Sequence, residues 1–349
     1  MFSFRTPGLF LIWLSCCMLP ASTTAHAQAR SADRPREHFQ NATAIYDWVR
    51  DSHGTKLRII ATRPNNRAAK VPVIFFVGWL SCDSVEYTRG ETDAFGAIFW
   101  RLIEMSGYAT MRMDKPGVGE SEGVCKRTDF LTELSGYRAA FDSLHKYQFI
   151  DLDRVFVVGL SNGGGTAPLV AQGRAVRGYI AASSWGRTWY EHMLELERVR
   201  LSNEGNKSPS EISSALKQFT DFYSLFLIRK MAPGEIIKAH PEWANLWYDE
   251  PDGQYGRPAE FYQQLQDLNL GEAWSAVSVP VLVLHGTADT IMSHADSIEI
   301  ANIVNRAHPE KAQFTTIPEA DHLLSIHGKL VDSVVPTMLQ WMNTQLQQN

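Results

Sequence analysis

The stretch VFVVGLSNGGGT, residues 155–166, decides how the rest of this chain is read. Three valines and a phenylalanine (155–158) make a short apolar run that reads as a buried strand. The run stops at GLSNG, residues 159–163, and residues 166–172 can continue as a helix. Glycines two before and two after a serine let a strand turn sharply into a helix, with the serine hydroxyl exposed at the apex. That places Ser161 near the positive end of a helix, where backbone N–H groups can hold an oxyanion. The plainer alternative is a tight turn in which Ser161 only caps the helix.

Working outward, the pieces on either side repeat the pattern of strand, loop and helix. Two alternating runs, residues 44–50 and 56–62, flank a glycine-bearing turn and predict an antiparallel hairpin. Residues 71–77 (VPVIFFV) are continuously apolar, as in a parallel strand covered on both faces, and end in GWLSCD, residues 78–83. A helix over 94–106, a strand over 109–113 and the loop DKPGVGESEG, residues 114–123, follow. Residues 130–147 carry an amphipathic helical stripe, and residues 151–154 read as the turn into the serine strand. Beyond the serine, 177–183 is another strand.

Residues from about 185 to 276 break the alternation, being mostly helical and rich in Trp, Tyr and Phe. Within them Ser208-Pro209 and Glu211 form a capping-box signature ahead of a stripe through Ile212, Leu216, Phe219, Tyr223 and Phe226. Alternation resumes with strand 279–284 and HGTAD, residues 285–289. A helix over 295–305, strand 312–317, EADH at 319–322 and a helix over 329–346 close the chain. Alternation interrupted once by a helical block predicts a mostly parallel sheet with a cap. In such sheets ligands bind at the carboxyl ends of strands. There the loops at 78–83 and 114–123 should meet Ser161, Asp289 and His322.

With 349 residues the chain can bury a large core. A net charge of −5 without a basic tract argues against a nucleic-acid partner. The histidines are scattered without zinc spacing, and the glycine run at 163–165 lacks the lysine of a phosphate loop, so no metal or cofactor is implied. Residues 1–27 read as a signal peptide: Arg5, an apolar stretch over 8–19, then Ala25-His26-Ala27 as the cleavage site. The apolar stretch is short for a membrane span. A retained anchor or a lipoprotein are the alternatives, though residues 13–16 fit a lipidation box poorly. Cleavage after Ala27 removes two of four cysteines and leaves Cys82 and Cys125, a disulfide candidate in an exported protein. Two unrelated buried thiols is the other reading.

The order Ser161, Asp289, His322, with HGTAD after one strand and Asp321-His322 after the next, resembles the α/β-hydrolase superfamily over nearly all of residues 28–349. The loop at 114–123 resembles the D-x-x-G-x-G-x-S segment of its serine-aminopeptidase-like and prolyl-peptidase-like branches. One departure is Val77-Gly78 where many lipases and esterases have His-Gly. The resemblance implies an α/β-hydrolase fold: core over 28–184 and 277–349, helical cap over 185–276. It implies Ser161 as nucleophile, His322 as base and Asp289 as its orienting acid, with His327 the competing base and Asp296 or Asp321 the competing acids. Asn162 would supply one oxyanion-hole N–H, and Trp79, or next Leu80, the other. Cys82 and Cys125 fall in neighbouring strand-end loops, so a bridge would steady the oxyanion loop.

Cap aromatics (Trp185, Trp189, Tyr190, Phe219, Phe222, Tyr223, Phe226, Trp243, Trp247, Tyr248) predict an apolar roof over the site, or simply the cap's own core. Asp249, Glu250, Asp252 and Glu191 could meet a cationic substrate group, or form a solvated face. The expected function is a secreted or periplasmic serine hydrolase acting on small esters. A peptidase on short peptides and an idle hydrolase-fold binding protein are the alternatives.

Overall fold

The computed structural model describes residues 36–65, 69–87 and 93–348. The expected signal peptide and its expected cleavage site, residues 1–27, lie outside the described residues. In chain order the first elements are β1 (Ala42–Arg50), β2 (Lys56–Pro64), β3 (Val71–Val77), α1 (Ala94–Ser106), β4 (Ala109–Met113) and α2 (Phe130–Asp142). Then come β5 (Ile150–Leu160), α3 (Asn162–Val170) and β6 (Gly178–Ala182). The block that follows holds α4 (Trp189–Asn203), α5 (Pro209–Tyr223), α6 (Pro233–Ala239), the small hairpin of β7 (Gly253–Gln254) and β8 (Arg257–Pro258), α7 (Ala259–Asp267) and α8 (Leu270–Ser275). The chain finishes with β9 (Val281–Gly286), α9 (His294–Ala307), β10 (Ala312–Ile317), the hairpin of β11 (Ser325–Ile326) and β12 (Lys329–Leu330), and α10 (Val334–Gln347).

Eight strands form one sheet in the order β1-β2-β4-β3-β5-β6-β9-β10. The β1/β2 hairpin is antiparallel and β2 meets β4 antiparallel; every pairing from β4 to β10 is parallel. The central strands are apolar on both sides because both faces are covered. In β3, Val73, Phe75 and Val77 enter one core with α2 and α3, while Ile74 and Phe76 enter the other with α1 and α10. β5 divides the same way, Val155 and Val157 against Phe156 and Val158.

Local chemistry sets the helix starts. Thr188 and Glu191 close a capping box on α4, and Ser208 and Glu211 close one on α5, with Pro209 as its first residue.

Four boundaries differ from the sequence expectation. Residues 151–154, expected as a turn, are the opening of β5, because Ile150 pairs with Val71 across a register shift. The helix after the serine starts at Asn162 rather than 166, since the glycines tolerate helical backbone when packed. The helix expected over 130–147 is α2 plus a separate 3-10 turn, Ser143–Lys146. The last helix begins at Val334, not 329: the β11/β12 hairpin occupies the start, turning at Gly328 with φ +75°.

Candidate active site

Ser161 sits between β5 and α3 with φ 53° and ψ −124°, a conformation that costs a non-glycine residue about 1–3 kcal/mol. The surroundings hold it there. Its N–H donates to Ala182 O at 2.9 Å, and Ser184 Oγ donates to Ser161 O at 2.8 Å. A side chain on Gly163 would collide with Val77 O and Gly78 O, so glycine here lets α3 press against the end of β3.

The structure brings Ser161, His322 and Asp289 together. Ser161 Oγ lies 3.0 Å from His322 Nε2, and His322 Nδ1 lies 2.9 Å from Asp289 Oδ2. Asp289 Oδ1 accepts from the N–H groups of Ile291 (2.8 Å) and Met292 (2.9 Å), so both carboxylate oxygens are occupied. The edge of the His322 ring meets Phe95 at 5.7 Å between centroids.

The competing residues go elsewhere. Asp321 ties its own turn, accepting from Leu323 N, Ser325 N and Ser325 Oγ. Asp296 bonds His192. His327 is exposed at the tip of the β11/β12 hairpin with φ 52°. Asp289 is thus the carboxylate that faces the Ser161–His322 pair.

Asn162 follows the serine, and Trp79 and Leu80 occupy the loop after β3. Among the described residues, the amides of Trp79 and Leu80 donate to no acceptor, which leaves them available to an oxyanion. Their loop is gripped from beneath. Gly78 N–H donates to Tyr137 Oη at 3.1 Å. Lys115 Nζ donates to Trp79 O and, at 2.8 Å, to Ser81 O. Asp114 accepts from Ser84 Oγ (3.0 Å) and Val85 N (2.9 Å) and is itself held by Arg58. The first two residues of the 114–123 loop therefore hold the segment 79–85 from both ends.

Lys115 is almost wholly buried, and burial, with Arg257 nearby, pushes its amine well below the usual lysine range. Burial likewise lowers Arg257 to about 10, where it pairs with Glu133 and donates to Cys125 O at 2.8 Å.

Cys82 and Cys125 are joined, with Cα atoms 6.0 Å apart and a sequence separation of 43. Closing a loop of that length removes unfolded-state entropy worth about 4 kcal/mol. Replacing both cysteines by serine is expected to lower the melting temperature by about 5–10 °C. Scanning calorimetry of the two proteins checks this, and equal melting points would show that the bridge adds nothing.

A cavity of about 800 Å³ opens over Ser161 and His322. Trp79, Phe95, Trp185, Trp189 and Met292 make much of it apolar. Trp79 both lines the cavity and stacks on Phe99, so the two sequence readings of it are compatible. Of the other cap aromatics, Tyr248 reaches the cavity, while Phe219, Phe222, Tyr223, Phe226 and Trp247 pack in the core. Of the acidic residues expected to meet a cationic substrate, Asp249 and Glu191 are engaged locally, while Glu250 and Asp252 are exposed. Asp249 accepts from Glu250 N and Tyr255 N, and Glu191 caps α4. Glu204, at the end of α4, lies on the cavity wall, and Arg200, also on the wall, pairs with it at 2.7 Å.

Sequence reading does not reveal the roles of Lys115 and Asp114 or the pairing of His192 with Asp296. The D-K start of the 114–123 loop was a signal for the first two; α4 offered none for His192.

Residues 90–332 match the alpha/beta hydrolase family. This chain belongs to that family. Solved structures similar to this hydrolase include Est1E from Butyrivibrio proteoclasticus with ferulic acid bound. It has 18% identity and a TM-score of 0.57, with 86% of this chain and 100% of that one covered. An esterase from Pyrococcus furiosus has 12% identity and a TM-score of 0.52, over 87% and 90% of the two chains. The acylaminoacyl peptidase of Pyrococcus horikoshii has 13% identity and a TM-score of 0.54, over 88% of this chain and 41% of that one. At these identities the likeness is one of fold. No curated protein matches the sequence.

Proposed function

We propose that this hydrolase cleaves carboxylic esters through an acyl-enzyme, with Ser161, His322 and Asp289 as its triad. The observation that carries the reading is the unbroken relay from Asp289 Oδ2 through His322 to Ser161 Oγ, at 2.9 and 3.0 Å. A serine hydroxyl is a poor nucleophile at neutral pH, so it needs a hydrogen-bonded base held in the right tautomer. Asp289 accepts a hydrogen bond from Nδ1–H of His322, keeping the proton there and leaving Nε2 free to accept the proton of Ser161 as Oγ attacks the ester carbon. Negative charge on the carbonyl oxygen then falls to the amides of Asn162 and of Trp79 or Leu80. His322 passes its proton to the leaving alcohol oxygen, and water repeats the sequence in reverse to release the acid.

The largely apolar cavity and the esterase neighbours favour esters. The peptidase neighbour keeps amides as the second substrate class. Export is part of the proposal and is supported by the segment at 1–27 together with the Cys82–Cys125 bridge. A panel of p-nitrophenyl acyl esters, alkyl esters and aminoacyl amides on protein starting at residue 28 tests substrate class. Turnover of esters, alkyl esters included, at least about a hundredfold above amides is expected. Amide turnover equal to or above that of alkyl esters would place the enzyme among peptidases.

A further inference from the structure

The wall of the Ser161 cavity carries a second imidazole–carboxylate pair. His192 of α4 places Nδ1 3.0 Å from Asp296 Oδ2 of α9, and both side chains are buried. Trp185 stacks on the imidazole at 5.3 Å and 27°, and Trp189 packs against it at 5.0 Å. His192, Trp185 and Trp189 all line the cavity that holds Ser161 and His322. Nε2 of His192 has no protein partner, yet it is not among the fully enclosed unpaired polar atoms, so that edge of the ring opens on the cavity.

Such a pair is costly merely to fasten α4 to α9. A buried carboxylate loses solvation that His192, and the Arg187 guanidinium 3.8 Å from its other oxygen, only partly restore, and apolar side chains would join two helices at least as well. Nor is His192 needed as the base, since His322 already contacts Ser161. What the geometry does supply is a fixed acceptor. Asp296 holds the proton on Nδ1, so the neutral ring offers the Nε2 lone pair from an aromatic wall.

We infer that His192 is a specificity residue that accepts a hydrogen bond from a hydroxyl group on the substrate, which is therefore a hydroxyl-bearing ester rather than a plain alkyl or aryl one. The inference rests on the ester-hydrolase reading above. A site built to bond a hydroxyl discriminates strongly against the analogue lacking it, because its own polar group is then left unpaired. The hydroxyl can belong to the acyl or to the alcohol part, and the chemistry of recognition is the same for both.

The test uses two matched series on protein starting at residue 28. p-Nitrophenyl 3-phenylpropionate and its ring-hydroxy and ring-methoxy analogues probe the acyl side; 2-phenylethyl acetate with the same substitutions probes the alcohol side. In one series a ring hydroxyl is expected to raise kcat/KM at least about tenfold over both the unsubstituted and the methoxy compound. His192→Phe should bring that ratio to about one. Asp296→Asn, which loosens the hold on Nδ1, should lower it at least about threefold and carries the test if His192→Phe does not fold. A flat ratio in both series, a methoxy compound as good as the hydroxy one, or a ratio unchanged in the variants would overturn the inference. Labelling the same samples with a fluorophosphonate separates the two levels. Labelled protein with a flat ratio sinks the role of His192 alone, and unlabelled wild type sinks the hydrolase chemistry beneath it.

Discussion

Replacing Ser161 by alanine is expected to lower kcat/KM for ester substrates by at least about 10⁴-fold while leaving the fold intact. The hydroxyl makes one side-chain bond, to His322, and the loop conformation is held by backbone contacts with Ala182 and Ser184 that alanine retains. His322→Ala should cost a comparable factor, because a hydroxyl without its base is not a competent nucleophile. The double variant should be little worse than either single one, since the two groups act as a unit. Steady-state rates of the three proteins on one ester check this. Additive losses, or a single variant within tenfold of wild type, would show that the chemistry does not run through this pair.

Asp289→Asn is expected to cost about 10³–10⁴-fold in kcat with little change in melting temperature. Asp289 Oδ1 accepts two backbone N–H bonds, from Ile291 and Met292, and only an oxygen can do so. The new amide must therefore keep its oxygen there and turn its NH₂ toward His322 Nδ1. That contact stabilises the tautomer with the proton on Nε2, which then cannot accept the proton of Ser161. The backbone bonds that set the turn survive, so stability should not fall with activity. Rates and a thermal melt on the same preparation check both halves. A loss of less than tenfold would mean that another group orients the imidazole.

Much of this arrangement was legible in residue order, because the sheet imposes it. Parallel strands buried on both faces leave unbroken apolar runs at 71–77 and 155–158, and each such run ends at the edge where Trp79 and Ser161 lie. The glycines around Ser161 were visible for a steric reason, since α3 approaches β3 too closely at Gly163 for any side chain.

What could not be read depends on contacts between distant segments. Residues 151–154 look like a turn by composition, yet they are drawn into β5 by pairing beside Val71. Nothing near His192 marks it as special; its meaning comes from Asp296 of another helix and from two indoles. Asp114 and Lys115 stood in a visible motif, but their role in fixing the carbonyls and amides of residues 79–85 exists only once β3 and β4 lie side by side.

The central claim is that the Ser161 hydroxyl is activated by His322. It is tested most directly by treating the protein from residue 28 with a fluorophosphonate and locating the adduct by peptide mass spectrometry. One adduct per chain, on the peptide containing Ser161 and lost in His322→Ala, is the expected result. An unmodified Ser161, or labelling that persists undiminished without the imidazole, would contradict it.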